Sequence, residues 1–288
     1  PRGRPAAARY AVLSSGQAII EMAQASGLPL LAPEERDPLR ASSYGTGELL
    51  RHALDSGCRQ ICLMIGGSAT NDGGLGMASA LGARFLDAAG QEVQRGGGGL
   101  EQVRSIDLSG LHPGLEQAQI TIMCDVANPL LGPNGAAYVY GPQKGADRQA
   151  LVRLEAGMSS YVRVVERACG RALRDIPGTG AAGGLAVPLI AFASAALRSG
   201  IETVLELLNF DALLDGADLV VLEPVADFLL QNWDSAGRAR LTVTEIEPDN
   251  LHIPAANCRE VRDTVSSLRL DAVAASGFHM ARGKAAAL

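Results

Sequence analysis

The sequence predicts an α/β protein, and three observations carry that reading. Two apolar runs, "RQICLMI" over 59–65 and "QAQITIMCDV" over 117–126, have the length of buried strands. Each opens into a loop rich in glycine and small polar residues. Stretches of helical period alternate with them, the longest over 147–168. Such alternation belongs to sheets whose strands are joined by helical crossovers.

The elements follow in order. "ARYAVLSSGQAIIEMA" reads as a strand, a turn and a helix, the helix covering 17–26 and stopped by Gly27 and Pro29. "LAPEERDPLRASS" is a loop, and "YGTGELLRHALDSG" a second helix with Thr46 as candidate cap and Gly57 as its stop. After the strand over 59–65, a helix runs through Ala83, and Gly96 to Gly99 form a flexible turn. The strand over 117–126 leads into a long loop with Gly, Pro and Asn throughout. "GTGAAGGL" then feeds an apolar helix interrupted by Pro188, and "GADLVVL" over 216–222 is a short strand. Beyond it no clean period is visible, and the chain contains no internal repeat.

The length of 288 residues suffices for two domains. With 4% aromatic residues against 47% hydrophobic, the core must be built from Ala, Leu, Val and Ile. A net charge of −6, without basic patches, argues against nucleic acid as a partner. Five cysteines include only one close pair, Cys58 and Cys62, and the four histidines are scattered, so zinc is poorly supported and reduced thiols in the cytoplasm are expected. No apolar run reaches the roughly 18 residues of a membrane span. The opening "PRGRPAAARYAVL" reads as a fragment that enters a domain partway.

The candidate chemistry sits in loops. In "IGGSATNDGG", Gly66, Gly67, Gly73 and Gly74 permit positive φ and close approach of a ligand to the backbone. Ser68, Thr70, Asn71 and Asp72 add polar groups, and a helix starting near Leu75 would direct free N–H groups at an anion. The structural alternative is that Asn71 or Asp72 simply caps that helix. The spacing matches neither a Walker loop nor a dinucleotide fingerprint, which leaves a nicotinamide-dependent dehydrogenase without support. Asp125 closes a strand, where a carboxylate can hold Mg²⁺, take a proton from a hydroxyl, or form a turn. Lys144 in "GPQKG" could reach a phosphate, although a solvated surface position is the ordinary fate of a single lysine. "GTGAAGGL" repeats the glycine-before-helix pattern, with close helix packing as its alternative. From residues alone the chain is an α/β protein that binds a small, anionic ligand.

Three segments, "IGGSATNDGGLGMASALGARFLD", "CDVANPLLGPNGAAYVYGPQKGA" and "GTGAAGGLAVPLIAF", together resemble the bacterial glycerate kinase family, over about 8–221. The resemblance implies ATP- and Mg²⁺-dependent phosphorylation of D-glycerate, typically to the 2-phosphate and otherwise to the 3-phosphate. It implies a two-domain fold, flavodoxin-like plus an inserted α/β domain, with the active site in the cleft between them. On this reading 1–212 is the inserted domain and 213–288 a partial return to the flavodoxin-like one. The family motifs then fall on Gly66 to Gly74, on Asp125 and Asn128, on Gln143 and Lys144, and on Gly178 to Gly184, including Gly180, Gly183 and Gly184. Asp72, Asp125 and Lys144 are the candidate catalytic residues, and Asp125 the candidate Mg²⁺ ligand.

Two departures stand out. The family's opening A-P-D-S-F-K-G and A-D-G-G-E-G-T are missing, and after "ADLVV" the T-G-E-G motif is replaced by "LEPVADFLLQ". Glu223 and Asp227 keep part of its spacing, while Gln231 falls two places late. A truncated family member with a divergent end is therefore expected, and an inactive remnant that retains ligand binding is the alternative.

Overall fold

The computed structural model describes residues 1–210 and, beyond them, 226, 227, 229, 230, 235, 236, 239, 240 and 243–246. The strand expected over 216–222 lies outside the described residues, as do Glu223, Gln231 and Cys258. Two compact units divide the chain, Pro1–Val204 and Leu205–Leu288.

The first unit begins with a departure from the sequence reading. Ala18, Ile20 and Met22 are fully buried while Ile19 and Glu21 are only partly so. That two-residue alternation makes a strand of the segment read as helix. After the short edge strand β1 (Ala11–Val12), β2 spans Ala18–Glu21, and only a single turn, α1 (Ala23–Ser26), is helical. Burying Ile20 and Met22 contributes about 2 kcal/mol each. Helix propensities differ by only a few tenths of that between such residues, so the sheet decides.

Then follow α2 (Tyr44–Asp55), β3 (Gln60–Met64), α3 (Leu75–Ala80), the pair β4 (Arg84–Leu86) and β5 (Ser105–Asp107), and β6 (Gln119–Met123). The chain continues through α4 (Ala136–Tyr140), α5 (Arg148–Cys169), α6 (Ala186–Phe192), β7 (Ala196–Arg198) and α7 (Gly200–Leu207). In the second unit β8 (Ser235–Ala236) pairs antiparallel with β9 (Ala239–Arg240).

The main sheet has the order β1-β2-β3-β6-β7. β1 is antiparallel, and the other four strands are parallel. Glu21, Met64, Met123 and Arg198 stand in one cross-strand row, so all four parallel strands finish together. Their following loops leave from one edge of the sheet, where ligands bind in open α/β sheets.

Several boundaries differ from the sequence reading. Thr46 lies inside α2 and bonds Ser26 through its hydroxyl at 2.8 Å, so it is not the cap; Ser43 precedes the helix. α3 stops at Ala80, three residues short of Ala83. The "flexible turn" at Gly96 to Gly99 is a fitted surface against α5: a Cβ on Gly97 would lie 2.4 Å from Leu154 and one on Gly99 1.8 Å from the Gln94 carbonyl. α5 itself begins at its cap, Asp147, whose carboxylate accepts from Ala150 N at 2.8 Å, and ends on left-handed Gly170. Pro188 does not interrupt α6. It is the third residue of the helix, where the missing N–H has no intrahelical partner to lose.

Candidate functional site

The loop 65–74 splits into an exposed and a buried half. Gly66 and Gly67 are exposed, and a Cβ on Gly66 would meet nothing within 4 Å. Gly67 has φ +71°, and its carbonyl accepts from Leu28 N at 2.8 Å. From Ser68 to Gly74 every residue is buried. The chain therefore shows bare backbone at the sheet edge and then dives into the interior.

Asp72 explains how that dive is held. Its carboxylate accepts from Ser43 N at 2.8 Å, the Ser43 hydroxyl at 3.0 Å, and Gly74 N and Gly76 N at 3.2 Å each. The Ser43 hydroxyl accepts in turn from Met77 N at 2.9 Å. The first N–H groups of α3, expected to be free for an anion, are thus taken by Asp72 and Ser43. Burial raises the Asp72 pKa, against the pull of the Ser43, Gly76 and Gly74 donors. Asn71 donates its amide to the Ala136 carbonyl at 3.2 Å. Among the described residues, Asn71 Oδ1 and Thr70 Oγ1 are buried without a hydrogen-bond partner.

Lys144 is not at the surface: only 1% of it is exposed, and Nζ donates to the Thr70 carbonyl at 2.6 Å. Burial lowers its pKa to about 7, with the Asp72 charge pulling it back up. Neither sequence reading, a solvated lysine or one reaching outward to a phosphate, matches this placement. Gln143 beside it is exposed.

The segment 178–184 forms the floor under this loop. Gly73 N donates to the Gly183 carbonyl at 2.9 Å. Gly183, at φ +69°, approaches so closely that a Cβ would lie 2.2 Å from the Thr70 carbonyl, and a Cβ on Gly184 would sit 3.0 Å from the Gly73 Cα. Gly180 packs on the Pro129 carbonyl. Glycine here serves backbone-on-backbone contact, the packing alternative, although between loops instead of helices. Asn128 ties the neighbouring loop together: Nδ2 donates to the Asn134 carbonyl at 2.9 Å, and Oδ1 accepts from the Tyr140 hydroxyl at 2.7 Å.

Asp125 lies two residues past β6 at the carboxyl edge and is exposed. Oδ1 accepts from Gly200 N at 2.7 Å and the Ser199 hydroxyl at 3.2 Å, capping α7. Oδ2 makes no hydrogen bond among the described residues and stays available as a hard oxygen donor. The structure thus brings Thr70, Asn71, Asp72, Gly73, Lys144, Gly183 and Gly184 together inside the fold, while Gly66, Gly67 and Asp125 occupy the edge. Sequence reasoning missed Ser43 and Ser199, the hydroxyl partners of the two aspartates. The signal for Ser43 was "ASSYGTGEL", hydroxyls before a helix, which reads as a cap for α2 and gives no sign that it also serves α3.

A family model described as the glycerate kinase family matches residues 1–223. The chain belongs to the glycerate kinase family. It is 48% identical over 222 residues to a glycerate kinase of Halalkalibacterium halodurans and, over the same length, to a glycerate 2-kinase of Escherichia coli K12. Each alignment covers 77% of this chain and 58% of the relative, so the chain spans well under two thirds of these curated glycerate kinases. A crystal structure assigned as glycerate kinase 2 of Salmonella typhimurium LT2 superposes with a TM-score of 0.74 at 49% identity, covering 76% of this chain and 59% of that one. The mixed α/β architecture with its parallel sheet is therefore that of the glycerate kinase fold.

Proposed function

We propose that this chain carries the inserted-domain part of an ATP-dependent kinase that phosphorylates D-glycerate, with 2-phosphoglycerate as product, working in the cytoplasm. The observation that carries the reading is the exposed Gly66–Gly67 backbone standing on the same sheet edge as the Asp125 carboxylate. On this reading 1–212 belong to the inserted domain and 213–288 return to the flavodoxin-like one. The free, buried thiols of Cys58 and Cys62 suit a reducing compartment.

Phosphoryl transfer asks the protein mainly for positioning and neutralisation of charge. The Gly66 and Gly67 backbone can lie against a phosphate chain, because no side chain intervenes. Asp125 fits Mg²⁺: a hard carboxylate oxygen is free, and Mg²⁺ is commonly held by one or two carboxylates plus phosphate oxygens and water. When bound, Mg²⁺ would neutralise the phosphate charge. Asp125, fixed through Oδ1 by Gly200 and Ser199, would hold that ion, or orient the attacking hydroxyl, without reorganising. Asn128 and Gln143 complete the proposed contacts, whereas Asp72 and Lys144 support the loop from within.

Glycerate-dependent ADP formation by the 288-residue chain, and by the same chain extended with a family-like N-terminal segment, tests the reading, with ³¹P NMR of the product to assign the 2- or 3-phosphate. Turnover with Mg-ATP and D-glycerate is expected of the extended chain, which restores the second wall of the cleft. If the chain neither turns over nor binds either ligand by calorimetry, the proposal fails. Saturable binding without turnover would favour the second reading, a binding remnant, which has the 58% span of the relatives behind it.

A further inference from the structure

The chain contains 23 arginines and only two lysines, Lys144 and Lys284. Among the described residues, arginines form ion pairs at the surface, as in Arg4 with Glu35 and Arg84 with Glu92, both at 2.8 Å. Among the described residues Lys144 alone is a lysine, and it does not lie at the surface. It is buried in the middle of the family motifs, with Nζ 2.6 Å from the Thr70 carbonyl.

The slot itself selects lysine. A guanidinium brings five N–H donors in a fixed plane and never gives up its charge. With one carbonyl as partner, it would strand four donors in the interior. An ammonium brings three donors on a flexible stem and can lose its proton when desolvation demands it. Among the described residues the charge acting on Nζ is the Asp72 carboxylate of the loop 65–74, and the Tyr140 ring centroid lies 5.9 Å away. The hydroxyl of Tyr161, on α5, feels the same carboxylate and bonds the Gly73 carbonyl at 3.1 Å.

The grip falls on a stretch with few other hydrogen bonds, the Asn71 amide on the Ala136 carbonyl at 3.2 Å being one. Thr70 Oγ1 and Asn71 Oδ1 have no hydrogen-bond partner among the described residues, so those two side-chain oxygens add nothing to fixing 70–71. On one side of this segment the chain is pinned by Leu28 N on the Gly67 carbonyl and Ser26 on Ala69 N. On the other it is pinned by the four donors to Asp72. Between them stand the Asn71 amide on the Ala136 carbonyl and the Lys144 ammonium on the Thr70 carbonyl, the latter three residues from exposed Gly67.

We propose that Lys144 is a positioning residue: it fixes the path of the loop 65–74 by holding the Thr70 carbonyl from inside, and it makes no contact with phosphate. The inference rests on the phosphoryl-transfer reading above for what the loop positions, but not for where Lys144 stands. Its action runs through Thr70 to the backbone at Gly66–Gly67, which is the part a ligand would touch.

Amine labelling of the native chain with formaldehyde and a mild hydride, mapped by mass spectrometry, tests the placement, with the urea-unfolded chain as reference. Lys144 should label at least 50-fold more slowly in the native chain, and Mg-ATP should leave that rate unchanged. A native rate within a few-fold of the unfolded one, or a fast rate that Mg-ATP suppresses, overturns the proposal. The Lys144→Met variant tests the action. Hydrogen exchange at amides 68–74 should rise at least tenfold while that of 60–64 stays constant; unchanged exchange at 68–74 counts against a positioning role. In turnover, kcat should fall tenfold or more with the KM for ATP within threefold. A rise in KM alone would identify a phosphate contact, and neither change a merely structural lysine. An N-terminally extended wild-type chain without turnover would count against the proposed function, while labelling and exchange still decide the role of Lys144.

Discussion

Asp72 and Ser43 are joined twice, through the serine's backbone N–H at 2.8 Å and its hydroxyl at 3.0 Å, both on Oδ2. The contact spans 29 residues and links the entry of α2 to that of α3. Asp72→Ala would strand four buried donors, each worth about 1–3 kcal/mol when left unsatisfied. A loss on the order of 4 kcal/mol is expected in urea unfolding. Asp72→Asn should lose less, because one carbonyl oxygen remains for part of the donor set. Equal stability of wild type and Asp72→Ala would show that Asp72 does not anchor this junction.

The buried ammonium predicts an unusual pH dependence. Folded Lys144 gives up its proton near pH 7, whereas the unfolded chain keeps it to about 10.4. Between those values the unfolded state binds more protons, so stability rises with pH. The groups acting with it are Asp72, whose charge opposes the shift, and Tyr161, which is protonated throughout because burial raises its pKa well above the usual value. Relative to Lys144→Met, the wild type should gain about 2 kcal/mol between pH 7 and pH 9. Urea melts of both proteins at several pH values measure this difference. A flat difference across that range would mean that Lys144 keeps an ordinary pKa.

Two glycine substitutions separate fold from function within the same motifs. Gly183→Ala puts a Cβ 2.2 Å from the Thr70 carbonyl and 2.5 Å from the Asn71 Cα at a φ of +69°. Backbone cannot yield there as a side chain would, and a loss of about 3 kcal/mol or more is expected. Gly66→Ala meets nothing within 4 Å and needs no positive φ, so stability should change by less than about 0.5 kcal/mol. Its methyl group nonetheless stands where a ligand would approach the backbone. Mg-ATP or glycerate affinity, read by calorimetry, should fall tenfold or more. Unaltered affinity would remove Gly66 from the site.

These contrasts mark what was legible in the sequence. β3 and β6 were visible because each is an apolar run with no rival period, and α5 because its apolar face repeats over 22 residues between Asp147 and Gly170. β2 was not, because four residues carry too little pattern to distinguish alternation from one helical turn, and only the neighbouring strand settles the matter. β7, three residues long, gives no local signal at all. The motif residues could be found by resemblance, but their depth could not. Lys144 and Asp125 look alike in sequence, polar residues in glycine-rich loops, yet one is enclosed by a loop 74 residues away while the other stands at a strand end.

Asp125 carries the sharpest functional prediction. One oxygen is occupied by Gly200 N and Ser199, and the other has no hydrogen bond among the described residues. Asp125→Asn can keep the carbonyl oxygen on Gly200 N, so the helix cap survives and stability should fall by no more than about 1 kcal/mol. The negative charge that would hold Mg²⁺ is gone, however. Turnover should fall about 100-fold or more, and the Mg²⁺ concentration for half-maximal activity should rise. Ser199→Ala offers the complementary case: the carboxylate keeps its charge but loses one of two positioning bonds, so kcat should fall only several-fold with little change in Mg²⁺ dependence. If Asp125→Asn keeps wild-type turnover at saturating Mg²⁺, Asp125 serves only as a cap for α7, and the metal must be held by residues outside this edge.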